Sequence, residues 1–337
     1  MEKKKILIID DSPFTRKIIK EMIESEEDLE VIDTAGNGLE GLKKVLKLKP
    51  DLITLDLEMP EMDGFTLLRF IMAQQPTPVI IVSSLNTSED VFKALELGAI
   101  DFIAKPTSKA SYQLLEIKKD LLFKIRAALN IRQKKPYKDL KIPKPHTSVD
   151  FFIAIGSSTG GPQAIQKILT AFDTPLNAPI LIAQHMPEGF TKVFAERLNR
   201  ISCFEVCEAV DDMALENQHV YIAPGGYHMG IAKKNAKFYI KLVRKKVSDI
   251  YVPSVNYLFN SLKPFAEKTL AIVLTGMGSD GKEGAINLKN AGAEIWAESQ
   301  ETAVIFGMPK EVINAGVVDN ILSLDDIPLA LKTRFNL

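Results

Sequence analysis

The amino-acid sequence predicts an α/β protein of two domains: a doubly wound (βα)5 domain followed by a parallel-sheet domain with some antiparallel strands. The first reason is length, because 337 residues exceed the roughly 250–300 at which single hydrophobic cores stop growing. The second is that short β-rich runs alternate with amphipathic helical stretches in both halves. The third is residues 133–150, which collect lysines and prolines without a sustained period. We therefore expect domains at 1–132 and 151–337 and a linker at 133–150.

The first domain contains five β-rich runs, which in chain order read KILIID, VIDTAG, DLITLDL, PVIIVSS and AIDFIAK. The segments between them carry apolar residues at helical spacing, as at Ile18, Ile19, Met22 and Ile23. Strands that alternate with helices in this way favour a parallel sheet covered on both faces.

A second series of β-rich runs builds the second domain. Its runs read FFIAIG, PILIAQ, VYIAP, KFYIKLV, LAIVLTG and AEIWAES. Helical patterns follow Pro162, Pro187, Lys282 and Met308, which again indicates an α/β sheet. The shorter runs in the middle of the series indicate the antiparallel content.

Composition and charge argue against several functional classes. Hydrophobic residues make up 46% and charged residues 25%, as in folded globular domains. A net charge of -1 gives no electrostatic reason to expect nucleic acid as the main partner, and the second half lacks a helix-turn-helix pattern. The apolar run 6–9 stops at Asp10, and no run reaches the length of a membrane span. We expect a cytoplasmic protein without membrane insertion, in which Cys203 and Cys207 form neither a disulfide nor a metal site.

Three acidic residues are predicted to meet at one edge of the first sheet. Asp10 and Asp11 end the first predicted strand, and Asp56 ends the third. Parallel strands gather their carboxyl ends at one edge, where such folds keep their sites. Three carboxylates there need a cation, and hard oxygen ligands suit Mg²⁺, which would also neutralise charge on an incoming phosphoryl group. Asp56 is then the expected nucleophile, which would form an acyl phosphate.

Two further strand ends supply groups that suit a phosphate. Lys105 ends the fifth predicted strand and offers a positive charge, while Ser83 ends the fourth and offers a hydroxyl. A single aspartate at a strand end is more often a turn residue or a helix cap. The coincidence of all five residues at successive strand ends favours a phosphoryl-transfer site instead.

The segments IIDDSPFTRK, LDLEMPEMDG, VSS and AKP resemble the signatures of bacterial response-regulator receiver domains, over about residues 4–130. The resemblance implies that Asp56 is the phosphoacceptor and that Asp10 and Asp11 bind Mg²⁺ with it. It also implies that Lys105 and Ser83 sense the phosphate. Phe102 stands where such domains carry a switch aromatic, although a plain core aromatic explains it equally well.

A candidate nucleophile lies in the segment IGSSTGGP. Gly156, Ser158 and Gly160 match the pattern G-x-S-x-G between a β-rich run and a helical pattern. Such a turn exposes the serine and aims backbone N–H groups near Thr159 at a developing oxyanion. Because glycine-rich turns after strands also cradle phosphates, the motif alone does not decide.

A histidine and an aspartate complete the expected constellation. His185 ends the next predicted strand, where it projects toward the same sheet edge as general base and acid. Asp280 follows another strong β-rich run and is expected to orient the imidazole, unless it only caps the helix at 282–288. The order Ser, His, Asp differs from that of the α/β-hydrolases, so that fold is not assumed. A structural role is favoured for His219 and His228.

The second half resembles the chemotaxis protein-glutamate methylesterases, the CheB family. The resemblance covers residues 151–335 and rests on the segments IGSSTGGP, QHMPEGFT, IAPGGYHM, PSVNYLF and LTGMGSDG. It implies Ser158 as nucleophile, His185 as base and acid, and Asp280 as its partner. It also places Met277 in the active-site loop. Asn256 stands where many members carry an acid, a departure that bears on substrate fine-tuning and not on the chemistry.

Together the two resemblances imply a phosphorylation-activated esterase. It would remove methyl groups from receptor glutamates during chemotaxis adaptation, deamidate receptor glutamines, and take its phosphate from the chemotaxis histidine kinase. The esterase chemistry itself needs no cofactor, whereas the receiver domain needs Mg²⁺. The unphosphorylated receiver domain is expected to inhibit the catalytic domain. Two alternatives stay open: a phosphorylation-dependent interaction module, and an esterase in another sensory pathway.

Overall fold

The computed structural model describes residues 3–83, 88–105, 111–129, 151–235 and 237–337, with the backbone alone at 83, 88 and 111–116. The chain forms two compact units, Met1–Ile131 and Arg132–Leu337. The predicted linker, 133–150, lies outside the described residues.

A parallel five-stranded sheet forms the centre of the first unit. Its strands are β1 (Lys4–Ile9), β2 (Leu29–Ala35), β3 (Leu52–Asp56), β4 (Val79–Ser83) and β5 (Asp101–Ala104). They lie in the order β2-β1-β3-β4-β5, so the chain winds in opposite directions on the two sides of the β1/β3 pair. Each strand matches a run predicted from the sequence. This order places the ends of β1 and β3 side by side, where parallel sheets open a crevice.

Helices cover both faces of this sheet. They are α1 (Pro13–Glu24), α2 (Gly38–Leu48), α3 (Gly64–Gln74), α4 (Ser88–Glu96) and α5 (Ser111–Leu129). Helix α1 begins directly beyond the first strand end because the Ser12 hydroxyl accepts the Thr15 N–H and Pro13 occupies the first helical position. Ile6 and Ile8 of β1 pack with Ile125 of α5 in one buried cluster.

The second unit contains a parallel seven-stranded sheet and a separate antiparallel hairpin. Its strands are β6 (Phe152–Ser157), β7 (Ile180–Gln184), β8 (Glu205–Glu208), β9 (His219–Ile222), β10 (Tyr227–Lys234), β11 (Lys237–Arg244), β12 (Thr269–Val273), β13 (Glu294–Glu298) and β14 (Asn320–Leu322). The large sheet has the order β14-β13-β12-β6-β7-β9-β8, and β10 pairs with β11. Because β6 lies between β12 and β7, the ends of these three strands border the crevice of this sheet.

The helices of the second unit include two that the sequence reading missed. They are α6 (Gly161–Thr170), α7 (Phe190–Ile201), α8 (Val255–Leu262), α9 (Lys282–Asn290), α10 (Met308–Asn314) and α11 (Asp326–Phe335), with a 3₁₀ helix at Lys263–Lys268. Helices α8 and α11 were not predicted, and neither were strands β8, β10 and β14. Helix α8 packs through Leu258 and Phe259 on Met229 and Ile240 of the hairpin. No helix in the described part of the chain has the length and apolarity needed to cross a membrane.

Candidate catalytic and phosphoacceptor sites

Ser158 lies directly beyond the end of β6, in a turn that its own backbone helps to fix. Its N–H donates to the Thr275 carbonyl over 3.0 Å, and its carbonyl accepts the Gly161 N–H over 2.7 Å. Gly160 caps helix α6 with a φ of 80°, in the left-handed region that favours glycine. The sequence therefore forms a strand-to-helix turn at the place where the G-x-S-x-G pattern predicted one.

The loop after β12 approaches this turn closely. A Cβ added to Gly276 would lie 2.8 Å from the Ser158 Cβ and 2.4 Å from the Met308 Sδ. The Gly276 carbonyl accepts N–H groups from Gly307 and Met308, over 3.1 and 2.7 Å, and these bonds hold the loop against the serine. Met277 follows Gly276 directly in this loop. The carbonyl of Thr159 accepts the Thr275 hydroxyl over 2.8 Å.

His185 is the first residue after β7 and lies next to the serine turn. Its backbone N–H donates to the Ser157 carbonyl over 3.0 Å. Its Nε2 lies 2.8 Å from Oδ2 of Asp280, which makes the expected histidine–aspartate pair. Nδ1 is then the nitrogen left to take a proton from a nucleophile. No hydrogen bond joins the Ser158 hydroxyl to His185 in the described structure, and catalytic hydrogen bonds are often long before substrate binds.

Asp280 is buried, and the start of helix α8 supplies most of its hydrogen bonds. Oδ2 accepts the Val255 N–H over 2.7 Å, and Oδ1 accepts the Asn256 N–H over 2.9 Å. The Ser254 hydroxyl donates to Oδ1 over 3.1 Å. Burial alone would raise the pKa of Asp280, but the bond and charge of His185 and the backbone N–H groups hold it below its usual range. The carboxylate therefore stays ionised and can stabilise an imidazolium.

The side chain of Asn256 hydrogen-bonds to the backbone that follows Asp280. Its Oδ1 accepts the N–H groups of Gly281 and Gly284 over 3.0 and 2.8 Å, and so caps helix α9. Gly281, and not Asp280, occupies the N-cap position of α9. Asp280 is therefore not the N-cap of α9, although its side chain accepts the Gly281 N–H as well as the first N–H groups of α8. The amide oxygen of Asn256 is turned toward the backbone of the Asp280 loop.

In the first unit, Asp10, Asp11 and Asp56 converge as the strand ends predicted. One carboxylate oxygen from each lies within 4.8 Å of the others. Oδ2 of Asp10 is buried and accepts no hydrogen bond among the described residues. Burial, with the nearby Asp56 carboxylate, raises the pKa of Asp10 to about 6. An oxygen cluster of this kind fits a Mg²⁺ ion.

Lys105 is the cation that the structure places in this pocket. Its Nζ lies 2.5 Å from Oδ2 of Asp56 and 3.4 Å from Oδ2 of Asp10. Burial raises the pKa of Asp56, and the Lys105 contact opposes that rise. Ser83 ends β4 as expected, and its side chain lies outside the described part of the structure.

Phe102 is buried in the first unit, against a buried lysine. Lys124 donates to the Phe102 carbonyl over 2.5 Å, and its Nζ lies 5.1 Å from the centre of the Phe102 ring. Lys124 also pairs with Asp101 and Asp120, over 3.5 and 3.1 Å. The switch and core interpretations of Phe102 both fit this inward position.

Comparison with known proteins identifies the family. The model of the CheB methylesterase family matches residues 153–331, and the model of the response regulator receiver domain matches residues 6–115. The chain belongs to the CheB methylesterase family. Protein-glutamate methylesterase/protein-glutamine glutaminase 3 of Geobacter sulfurreducens is 44% identical, over 100% of this chain and 99% of its own length. Protein-glutamate methylesterase/protein-glutamine glutaminase 1 of Myxococcus xanthus is 45% identical, over 97% of this chain and 95% of its own.

The fold of the second unit is also found in a solved member of the CheB family. The crystal structure of the Thermotoga maritima CheB methylesterase catalytic domain matches with a TM-score of 0.52 and 40% identity. The match covers 54% of this chain and 97% of that one. The sequence-based expectations of the family and of the α/β fold class are therefore confirmed.

Three residues of this CheB site were missed by sequence reasoning. Gln184 is 2% exposed and hydrogen-bonds to both the serine turn and the histidine backbone. It ends an apolar strand beside His185, which was a usable signal. Ser254 precedes helix α8, where a serine followed by an apolar run indicates an N-cap. Tyr251, whose ring stacks on His185 at 5.1 Å and 12°, had no signal in the sequence.

Proposed function

We propose that this protein is a protein-glutamate methylesterase that demethylates chemoreceptors and is activated by phosphorylation of Asp56. The observation that carries the proposal is the 2.8 Å bond between His185 and Asp280, at the sheet edge where Ser158 also lies. The printed names of the relatives, protein-glutamate methylesterase/protein-glutamine glutaminase, support the substrate class.

In the proposed reaction Ser158 is the nucleophile. Its Oγ attacks the carbonyl carbon of a glutamate γ-methyl ester while Nδ1 of His185 takes the hydroxyl proton. Backbone N–H groups near Thr159, in the turn facing the Met277 loop, are the proposed donors to the tetrahedral oxyanion. Collapse of the intermediate breaks the C–O bond, and methanol leaves with the proton from His185. Water then attacks the acyl-enzyme with His185 as base, which frees the glutamate carboxylate and restores Ser158.

The same residues support glutamine deamidation as a second activity. The leaving group would be ammonia in place of methanol, and His185 would protonate it in the same way. The names of the relatives include protein-glutamine glutaminase, which favours this activity. Ammonia released from an unmodified receptor is the expected outcome, and its absence would remove this second activity alone.

The first unit is proposed to be the switch. Asp56 would attack the phosphoryl group of a phosphorylated histidine kinase, with Lys105 and Ser83 placed to bind the product. Asp10, Asp11 and Asp56 would hold Mg²⁺, which supplies charge neutralisation at the transferring group. Before phosphorylation the receiver unit is proposed to inhibit the esterase, so deleting residues 1 to about 140 should raise basal activity.

The decisive experiment measures methanol released from methylated receptor membranes, with and without a small-molecule phosphodonor and Mg²⁺. Ser158→Ala is expected to abolish release, whereas Ser202→Ala, a serine whose hydroxyl caps the end of α7 at the Leu198 carbonyl, keeps it. Asp56→Asn should retain basal release and lose the stimulation.

Each alternative has its own outcome. Wild-type protein that releases no methanol would favour the phosphorylation-dependent interaction module. Release that ignores the phosphodonor would keep the esterase and discard the proposed control. If methanol were released only from receptors of another sensory system, the proposed pathway would change but the proposed chemistry would not.

A further inference from the structure

A second histidine–aspartate pair lies next to the candidate active site. Nε2 of His228, on β10, is 2.9 Å from Oδ2 of Asp249. Nδ1 of the same ring accepts the backbone N–H of Ser254 over 3.1 Å. His228 is 7% exposed, and its ring stacks on Tyr257 of α8 at 5.3 Å. The proposed reaction does not use this pair.

These bonds define the protonation of His228. A nitrogen that accepts an N–H must carry a free electron pair, so Nδ1 has no proton. The ring proton then sits on Nε2 and points at Asp249, whose Oδ2 also accepts the Lys246 N–H over 2.7 Å. His228 is therefore a neutral imidazole that donates on one side and accepts on the other.

One ring thus holds both ends of the segment 249–254. Asp249 begins that segment and Ser254 ends it, immediately before helix α8. The Ser254 hydroxyl accepts the Tyr257 N–H over 3.2 Å and donates to Asp280 over 3.1 Å. The two histidine–aspartate pairs are consequently joined through Ser254.

Tyr251 lies between the two held ends and reaches the catalytic histidine. Its ring stacks on His185 nearly in parallel, with 5.1 Å between ring centres. Its hydroxyl fits closely against Gly278, where an added Cβ would lie 2.5 Å from it. Tyr251 therefore fills the space between the imidazole of His185 and the loop that carries Asp280.

We propose that His228, as a neutral imidazole, is a positioning residue of the esterase. By holding Asp249 and Ser254 it sets Tyr251 against His185 and the Ser254 hydroxyl against Asp280. This inference rests on the proposed esterase function. Catalytic geometry tolerates little displacement, so loosening the segment should lower kcat more than it changes KM.

Substitutions at His228 separate its two hydrogen bonds. His228→Asn keeps an acceptor close to the position of Nδ1, so it retains the bond from Ser254 and loses Asp249. His228→Gln reaches Asp249 with a donor and loses the acceptor for Ser254. His228→Leu fills the space and loses both bonds.

Methanol release at varied receptor concentration is the first measurement. We expect His228→Leu to lower kcat about 10–100-fold with KM within about 2-fold, and His228→Asn to stay within about 5-fold of wild type. His228→Gln should fall near the leucine variant, because Ser254 then lacks its acceptor. The control is His219→Asn, at a histidine that bonds the Asn217 carbonyl and stacks on Tyr221, and it should keep wild-type kcat.

Two readouts distinguish a loss of positioning from a loss of folding. The His228→Asn and His228→Gln variants should unfold at similar temperatures, although their kcat values differ. In ¹⁵N-histidine spectra of the full chain, the resonances that vanish in His228→Asn should show the neutral Nε2–H tautomer. An Nδ1–H tautomer, a doubly protonated ring, or equal kcat values for the Asn and Leu variants would overturn the inference.

Labelling of Ser158 by a fluorophosphonate distinguishes this inference from the esterase proposal. If wild-type protein labels but releases no methanol, the proposed function fails, and slower labelling of His228→Leu still supports the positioning role. If the leucine variant labels as fast as wild type, the positioning role fails whatever the substrate proves to be.

Discussion

At the residue scale, Gln184 joins the serine turn to the histidine. Its Nε2 donates to the carbonyls of Ser158 and His185 over 3.0 and 2.9 Å, and its Oε1 accepts the Ser157 hydroxyl over 2.6 Å. One buried amide therefore fixes the backbone of both the proposed nucleophile and the proposed base. Two of these bonds are buried and the one to the His185 carbonyl is partly buried, so losing the donor there removes a partner from polar groups that are shielded from water.

Gln184→Glu should lower kcat about 100-fold, because a carboxylate would face two carbonyl oxygens where an amide now donates to them. Methanol release and thermal unfolding of the variant measure the effect. The control, Gln300→Glu, makes the same change at an exposed position and should leave kcat unchanged. Wild-type kcat in Gln184→Glu would show that the bonds are dispensable.

Gly276→Ala tests the close approach of the loop after β12 to Ser158. Its Cβ would lie 2.8 Å from the Ser158 Cβ and 2.4 Å from the Met308 Sδ, so the serine or the loop must shift, and kcat should fall at least about 10-fold. Gly316→Ala is the control, since it has a φ of 71° but nothing within 4 Å. That variant should lose about 1 kcal/mol of unfolding free energy through backbone strain and keep its kcat. Equal kcat values for the two variants would count against crowding at Ser158.

The candidate residues could be predicted because each lies at or beyond the end of a parallel strand. The strand ends of one sheet meet at one edge, so residues of the same sheet come together there. Ser158, His185 and Asp280 follow buried parallel strands, Asp10 follows β1, and Asp56 is the last residue of β3. Gln184 could not be assigned its role in the same way. A glutamine at a strand end is an ordinary polar residue until its three partners are known, and those come from different elements.

At the element scale, helices α8 and α9 cap each other around Asp280. Asp280, which precedes α9, accepts the first N–H groups of α8, and Asn256, in α8, accepts those of α9. Both positive helix ends therefore face the corner that holds the ionised carboxylate. Sequence reasoning missed this because α8 is only eight residues long and its capping aspartate lies far away along the chain.

Asn256→Ala removes the acceptor for two N–H groups at the start of α9. We expect a loss of about 1 kcal/mol of unfolding free energy and a lower kcat, since the loop carrying Asp280 loses its cap. Urea unfolding and methanol release measure the two effects. The control is Asn287→Ala, at a partly exposed asparagine whose side chain bonds only Asn260 in the described structure. An unchanged kcat in Asn256→Ala would show that capping α9 is not needed to position Asp280.

Asn256→Asp keeps the acceptor. It also adds a negative charge close to Asp280, which like-charge repulsion should make slightly unfavourable. Near-wild-type kcat would support helix capping as the role of this position.

At the scale of the whole molecule, each unit carries its site at the point where its parallel sheet changes winding direction. In the first unit this point lies between β1 and β3, and in the second it lies at β6, between β12 and β7. The fold class could be predicted because apolar runs and helical spacing mark the central strands. Edge strands β8 and β14 could not, since a short strand with one neighbour needs little apolar sequence.

Metal removal tests whether the two sites have separate requirements. The carboxylates of Asp10, Asp11 and Asp56 form the only metal-compatible cluster found among the described residues, and it lies in the first unit. Chelation by EDTA should therefore abolish stimulation by a phosphodonor and leave basal methanol release unchanged, because the chemistry proposed for Ser158 uses no ion. Restoring Mg²⁺ should restore stimulation in wild type and not in Asp56→Asn. Basal release that falls with EDTA would instead place a metal requirement in the esterase unit and contradict the metal-free mechanism.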